Sequence, residues 1–250
     1  MTVALLGIVL ALYGWGLVRV RAAGRTFPAA AAVCWCGGCA IAGAAVLGRL
    51  DALADTSLAW HMVQHLALVA FAAPLLLLGA PLRLALAALP ARAASRAAAV
   101  LRSGPLRALT HPAVAWLQFA IVLYVSHFSP LYEAALENDG VHAAEHLLYM
   151  TSALIFWTPL LAVAPAPHAP PHPVRILALF LALPMSAFLG FAFYVEHRVL
   201  YAHYAAQPGA LADQMNAGAV MWLAGGTPLL AALLAIVADW GARERREAVT

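Results

Sequence analysis

The sequence predicts an all-α, polytopic membrane helix bundle with seven transmembrane helices. The chain of 250 residues is 64% hydrophobic and only 10% charged, and its mean hydropathy is +0.85, far from the composition of a soluble domain. Apolar stretches of about 20 residues, enough to cross a hydrocarbon core as a helix, recur along the chain. No shift in composition marks a second domain, so we expect a single integral membrane domain over residues 1–250.

Seven segments have the length and the near absence of charge that a membrane span requires. They are residues 2–18, 28–48, 59–79, 110–128, 142–163, 174–195 and 214–238. The first segment has the length of a signal peptide, but its arginines follow its apolar run and no basic residue precedes it. We therefore interpret it as a retained helix with its N-terminus outside.

The arginines predict the orientation of the bundle. All 14 basic residues are arginine, and with seven spans only Arg49 and Arg198 fall on one side of the membrane, while the rest fall on the other. By the positive-inside rule the arginine-rich side, which carries the C-terminus, is cytoplasmic. The high isoelectric point then reflects membrane topology, and we expect no nucleic-acid partner.

One cytoplasmic loop is long enough to hold structure of its own. Residues 80–109 contain Arg92 and Arg96, one helical turn apart among alanines and leucines. We expect an amphipathic helix that lies on the anionic lipid surface. A plain alanine-rich connector is the alternative.

The histidines are distributed unevenly between the two sides. Seven of the ten fall at or near the predicted outer face, namely His61, His65, His127, His142, His146, His197 and His203. The other three, His111, His168 and His172, fall on the cytoplasmic side, and we do not expect them to be ligands. Polar side chains at membrane depth indicate function by default.

Two histidine pairs with a spacing of four open the third and fifth predicted spans. His61 and His65 form one pair, and His142 and His146 form the other. Residues four apart lie on one helix face, so both histidines of a pair can bind the same metal ion. Two pairs on separate helices provide four nitrogen ligands for a single metal ion. A lone histidine near a span end is usually only an interfacial residue, but two such pairs on the same side favour a metal site.

Further residues at the same depth can complete or tune this site. His127 ends the fourth span, and Asp213 and Met215 open the seventh, so each is a possible additional ligand. The positive end of a helix disfavours a cation, and Asp55, Glu145 and Asp213 can offset that cost. We expect Glu145 to orient rings or tune charge from behind the ligands.

The three cysteines occur together in "CWCGGC", at Cys34, Cys36 and Cys39. All three lie within one predicted helix, which argues against a disulfide framework at the outer face. We expect them to pack as small apolar side chains, with a transient Cu(I) or redox role as the alternative.

Four stretches, "HMVQHLALVAFAAPLLLLGAPLRL", "HAAEHLLYMTSALIFWTPLL", "LPMSAFLGFAFYVEHRVLYAHY" and "DQMNAGAVMWLAGG", together resemble the CtaG family of multi-span cytochrome c oxidase assembly proteins. This family is distinct from the single-span copper chaperone that shares its name. The resemblance implies a multi-pass protein of the bacterial inner membrane that helps to mature a haem-copper oxidase. It maps the recurrent histidines of the family onto His61, His65, His142 and His146, and an acidic residue onto Asp213.

From the spacing and the resemblance together, we expect a metallochaperone that binds copper as Cu(I) and delivers it to the oxidase copper centre. We expect lipid, an oxidase subunit and a copper donor protein at the outer face as partners, and no enzymatic activity. The alternatives are a haem-binding or redox membrane protein, a copper transporter, and an assembly scaffold in which the histidines are incidental.

Overall fold

The computed structural model describes residues 2–166 and 169–248, and within these ranges all regular structure is helical. The predicted all-α class is confirmed. Fourteen α-helices and one π-helical segment follow in order: α1 (Thr2–Ala22), α2 (Ala29–Val46), α3 (Arg49–Ala54), α4 (Leu58–Leu66), the π segment (Ala67–Ala72), α5 (Ala73–Leu78), α6 (Pro81–Ala88), α7 (Ala91–Leu101), α8 (Gly104–Leu109), α9 (Pro112–His127), α10 (Pro130–Glu137), α11 (Asp139–Leu161), α12 (His172–Val195), α13 (Ala202–Ala205) and α14 (Ala210–Glu247).

Five helical stretches are long and apolar enough to cross a membrane: Ala4–Ala22, Ala29–Val46, Leu58–Ala88, His172–Val195 and Ala210–Glu247. A sixth is possible if α9 and α10, which are bent by 66° at their junction, count as one span. The fold therefore has the helices of a multi-pass membrane protein, with five or six spans in the described ranges. The predicted count of seven, and the orientation of the termini, stay predictions.

Helices α9 and α11 account for the difference in the number of spans. Helix α9 has 16 residues and reaches the length of a span only together with α10. Helix α11 covers most of the predicted fifth span, 142–163, and is continuous from Asp139 to Leu161. Its first two turns carry Asp139, His142, Glu145 and His146, and these polar side chains lower its hydropathy. The residues that we predicted as a metal site are thus the ones that make this helix less apolar than its neighbours.

Helices α12 and α14 pack through direct backbone contact. A Cβ atom added to Gly190 would lie 2.5 Å from the carbonyl oxygen of Gly218, and one added to Gly218 would lie 2.4 Å from that of Gly190. Small residues allow helices to approach this closely in a membrane. Helix α14 also packs against α4, which fixes α4 within the bundle.

The π segment follows α4 directly. Pro74 has no N–H, so it cannot donate a hydrogen bond to the carbonyl of Ala70, four residues earlier. The amide of Ala73 donates to Leu68 O, five residues earlier, which is the hydrogen bond of a π-helix. Trp157 Nε1 donates to Val69 O at 2.9 Å from α11. Such π segments occur frequently beside functional sites, and this one begins two residues after His65.

The long loop 80–109 contains three short helices, α6, α7 and α8. Helix α6 packs against α1 with Leu84 buried, whereas α7 has no buried residue and exposes Arg92 and Arg96. The placement of α7 on a lipid surface stays a prediction, as does the single-domain assignment.

Candidate metal centre

Helix α4 is anchored at the residue where the first histidine pair begins. Ser57 precedes the helix, and its hydroxyl donates to Asp213 Oδ1 at 2.8 Å. The amide of Leu58 donates to Asp213 Oδ2 at 2.6 Å. The carboxylate of α14 therefore caps α4, satisfying amides that have no partner within the helix. This cap fixes the depth and rotation of His61 and His65, which lie one and two turns further on.

Helix α11 is capped within its own sequence. The side-chain oxygen of Asn138 accepts hydrogen bonds from the amides of Gly140 at 2.9 Å and Val141 at 3.1 Å. His142 and His146 follow on one face of the helix, at the level of the first pair. Both are half-buried, whereas His61 and His65 are 1% and 5% exposed.

The two pairs converge into one group. Each of the four histidines offers a ligand atom, and these atoms all lie within 4.8 Å of one another. Across the helices, the ring centroids of His61 and His142 are 5.0 Å apart, and those of His65 and His146 are 5.3 Å apart. The four imidazoles thus form a rough square between α4 and α11.

The hydrogen bonds of His61 leave one nitrogen available for a metal. Burial raises the pKa of the Tyr204 hydroxyl above its ordinary value, so the hydroxyl keeps its proton and donates it to Ala54 O at 2.7 Å. Tyr204 Oη, 2.9 Å from His61 Nδ1, therefore accepts from that nitrogen. In this tautomer His61 Nε2 carries a lone pair and points into the group, 3.0 Å from His65 Nε2. The second nitrogen is fixed in the way that typical metal-binding histidines are fixed.

The other nitrogens of the group are also suited to accept an ion. The Nε2 atoms of His142 and His146 are buried and have no hydrogen-bond partner among the described residues. In this tautomer of His61, His65 Nε2 carries the proton that His61 Nε2 accepts, and binding of an ion by His65 Nε2 would require that proton to move to His65 Nδ1, which is buried and has no hydrogen-bond partner among the described residues. With metal–nitrogen bonds of about 2.0–2.1 Å, tetrahedral ligand atoms lie about 3.4 Å apart, so shifts of about 1 Å close this group on a single ion.

A buried carboxyl group lies beside the ligand atoms of the group. Glu145 is 2% exposed, and its Oε2 is 3.7 Å from His65 Nε2. Neither of its oxygens makes a hydrogen bond of ordinary geometry within the part of the chain that the structure describes, although the Tyr149 hydroxyl is close enough to interact with it. A carboxylate placed in this way favours a cation among the histidines.

The remaining predicted ligands lie outside this group of four. Both oxygens of Asp213 bond to Ser57 and the start of α4, as described above, and Met215 is half-buried on α14. His127 is buried with its ring 6.4 Å from that of His65, and its Nδ1 donates to Leu123 O at 2.7 Å. Its Nε2 has no partner among the described residues.

The other histidines and the cysteines lie elsewhere. His203 Nε2 donates to Asp55 O at 3.0 Å, and His172 Nε2 lies 3.0 Å from Asp239 Oδ2. His168 falls outside the described residues. Cys39 is buried in the apolar cluster formed by α1, α2 and α6, and all three cysteines are free.

Three tyrosines surround the site, and sequence reasoning did not select them. Tyr132 of α10 is fully buried with its ring 5.3 Å from that of His61, and Tyr149 lies 4.6 Å from His65 between ring centroids. Tyr204 belongs to the short helix α13. Of the three, only Tyr149 could have been predicted from the sequence to lie near the site, because it follows His146 by three residues and shares its helix face.

Comparisons with known proteins show which proteins the chain is related to. A family model described as "Cytochrome c oxidase caa3 assembly factor (Caa3_CtaG)" matches residues 11–243. Uncharacterized proteins of Mycobacterium bovis and Mycobacterium tuberculosis are each 27% identical over 256 residues, covering 97% of this chain and 39% of the relative. An uncharacterized protein of Mycobacterium leprae is 28% identical over 250 residues, covering 95% of this chain and 38% of the relative.

The chain spans about two fifths of the length of these curated relatives. No solved structure matches it significantly. The family match covers nearly all of the membrane helices and includes all four clustered histidines. This chain belongs to the family of cytochrome c oxidase caa3 assembly factors.

Proposed function

We propose that the chain carries copper as cargo, bound as Cu(I) by His61, His65, His142 and His146, and passes it to the copper centre of a haem-copper oxidase during assembly. The observation that supports this most strongly is the convergence of four ligand atoms within 4.8 Å, donated by two separate helices. An assembly factor of an oxidase that contains copper has a use for such a site, and this role does not require catalysis.

Imidazole binds several transition metals, so the choice of Cu(I) rests on charge and on function. Four neutral imidazoles and the carboxylate of Glu145 carry one negative charge, which a monovalent ion neutralises. A neutral centre is favourable inside a bundle, because residual charge at low dielectric is costly. The family's role in oxidase assembly then favours copper over other monovalent metal ions.

The rings of one pair are less deeply buried than those of the other, which suits the exchange of cargo. His142 and His146 are half-buried, while the pair on α4 is buried. Asp51, Asp55 and Asp139 lie close enough to His142 to act on it electrostatically, so an approaching cation meets negative charge before it meets the ligands. We propose that a copper donor protein loads the site from this side, at the outer face of a bacterial inner membrane.

A haem site fits this geometry poorly. The histidines face one common point, whereas two haem ligands stand on opposite faces of a wide macrocycle. The cavity beside His65 and His127 holds only about 30 Å³. A haem would also have an intense visible absorption, which the purified protein should lack.

The test is anaerobic titration of the purified chain with Cu(I). We expect about one ion per chain for the wild type, and loss of that binding in both His61→Ala/His65→Ala and His142→Ala/His146→Ala. The second double variant removes half-buried rings, so it perturbs folding less. The matched control is His172→Ala/His197→Ala, which removes two histidines outside the group and should keep full binding.

In cells, the same variants distinguish copper delivery to the oxidase from a metal-independent scaffold role. If the proposal holds, cells with either site variant assemble an oxidase that lacks copper, while the control variant supports normal assembly. Equal copper binding in all the variants, measured on folded protein, would contradict the site. Normal copper content of the oxidase with the site variants would favour the scaffold.

A further inference from the structure

The arginine-rich side of the molecule carries an open cleft where α7, α8 and α9 meet. It has a volume of about 520 Å³ and is lined by Arg102, Gly104, Arg107, Ala108, His111 and Val114. The cleft lies at the start of α9, whereas His127 is the last residue of that helix. A helix of 16 residues is about 24 Å long, so the cleft is remote from the histidine group.

The cleft has the charge of an anion site. Arg102 and Arg107 are both exposed, and no carboxylate forms an ion pair with either of them in the described ranges. No acidic residue lines the cleft. The first turn of α9, which includes Val114, adds the partial positive charge of a helix N-terminus. Guanidinium groups placed in this way bind phosphate through paired hydrogen bonds.

An exposed apolar stripe on α9 begins at the cleft. Val114, which lines the cleft, is 43% exposed, and Leu117 and Ile121, further along the same face of α9, are 55% and 51% exposed. Helices α9 and α10 together are long and apolar enough to cross a membrane, and the first turn of α9 is at one end of that stretch. A ligand that satisfies both parts of the cleft must join an anionic group to an apolar one.

We propose that this cleft is a binding site for one anionic phospholipid. The lipid phosphate contacts Arg102 and Arg107, and the acyl chains run along Val114, Leu117 and Ile121. A free phosphate ion would use the arginines and leave this apolar stripe without a partner. The inference does not depend on copper, because none of these residues belongs to the histidine group.

The test is native mass spectrometry of the full chain, exchanged into mixed micelles of phosphatidylglycerol and phosphatidylcholine. We expect the wild type to retain one phosphatidylglycerol molecule. Each basic residue near an anionic surface contributes about fivefold to binding, so Arg102→Gln/Arg107→Gln should weaken retention about 25-fold. The matched control, Arg92→Gln/Arg96→Gln, removes the same charge from α7, outside the cleft, and should retain the lipid.

Two results would overturn the proposal. Equal loss in both double variants would mean diffuse attraction between a basic surface and anionic lipid, and unchanged retention in Arg102→Gln/Arg107→Gln would mean that the lipid binds elsewhere. A further arm adds glycerol phosphate as a soluble competitor. We expect little displacement at millimolar concentration, and full displacement would assign the cleft to soluble phosphate compounds. The four substituted arginines are exposed, and thermal unfolding checks that both variants fold.

Discussion

Removal of the Tyr204 hydroxyl tests whether the tautomer of His61 controls copper binding. In the structure this hydroxyl donates to Ala54 O at 2.7 Å and accepts from His61 Nδ1 at 2.9 Å. Tyr204→Phe leaves His61 Nδ1–H without its acceptor, so the ring is free to carry its proton on Nε2, where the metal must bind. Loss of such a partner behind a ligand weakens metal affinity about 10- to 100-fold, or about 1.4–2.7 kcal/mol.

The control for this prediction is Tyr201→Phe. The hydroxyl of Tyr201 is also buried and also donates to a backbone carbonyl, that of His127, at 2.8 Å. Both variants should lose about 1 kcal/mol of stability for each hydrogen bond removed, but only Tyr204 contacts a clustered histidine. The assay is competition for Cu(I) against a chelator of known affinity. Equal affinities in Tyr204→Phe and Tyr201→Phe would refute the reasoning.

Three further outcomes are expected. Copper affinity should fall as the pH is lowered, because only unprotonated imidazole coordinates; a histidine with an ordinary pKa near 6.5 would contribute at most about 25-fold between pH 7 and pH 5, and an affinity that rises on acidification in the chelator competition would exclude histidine ligands. Asp213→Ala should lower stability by about 1–3 kcal/mol through loss of the cap on α4, and should weaken Cu(I) binding while keeping one ion per chain, because the cap positions His61 and His65; unchanged stability would contradict the cap. Gly218→Ala should lower the unfolding temperature, since overpacking costs about 1–3 kcal/mol, whereas Gly226→Ala, where an added Cβ meets only Leu183 Cδ2 at 3.8 Å, should not.

Helical periodicity explains why the sequence predicted the core of the candidate site. A spacing of four places two histidines on one face, and hydropathy places both pairs near one membrane surface. These arguments concern residues within one helix, and they do not show which helices are neighbours. Tyr204 lies in a helix of four residues within a loop, and its contact with His61 depends on tertiary packing alone.

The role of Asp213 shows the same limit. Its position at the start of a span, level with the histidines, is compatible with a ligand or with a helix cap. Only the packing of α14 against α4 shows which contacts its carboxylate makes. Recognition of α11 as a membrane span has a different limit. The polar residues that form the site on α11 also lower the hydropathy by which membrane spans are recognised.

Glu145 links the charge of the bundle to its cargo. It is the one acidic residue among the buried polar residues of the described chain, and a buried carboxyl group takes up a proton unless a cation lies nearby. Glu145→Gln should therefore weaken Cu(I) binding, because the amide keeps the shape and cannot supply the negative charge, and should leave the unfolding temperature of the copper-free protein almost unchanged. Glu137→Gln, at an exposed position on α10, should change neither property. If Glu145→Gln bound Cu(I) as tightly as the wild type, the carboxylate would have no part in holding the ion, and the charge argument for a monovalent cargo would fail with it.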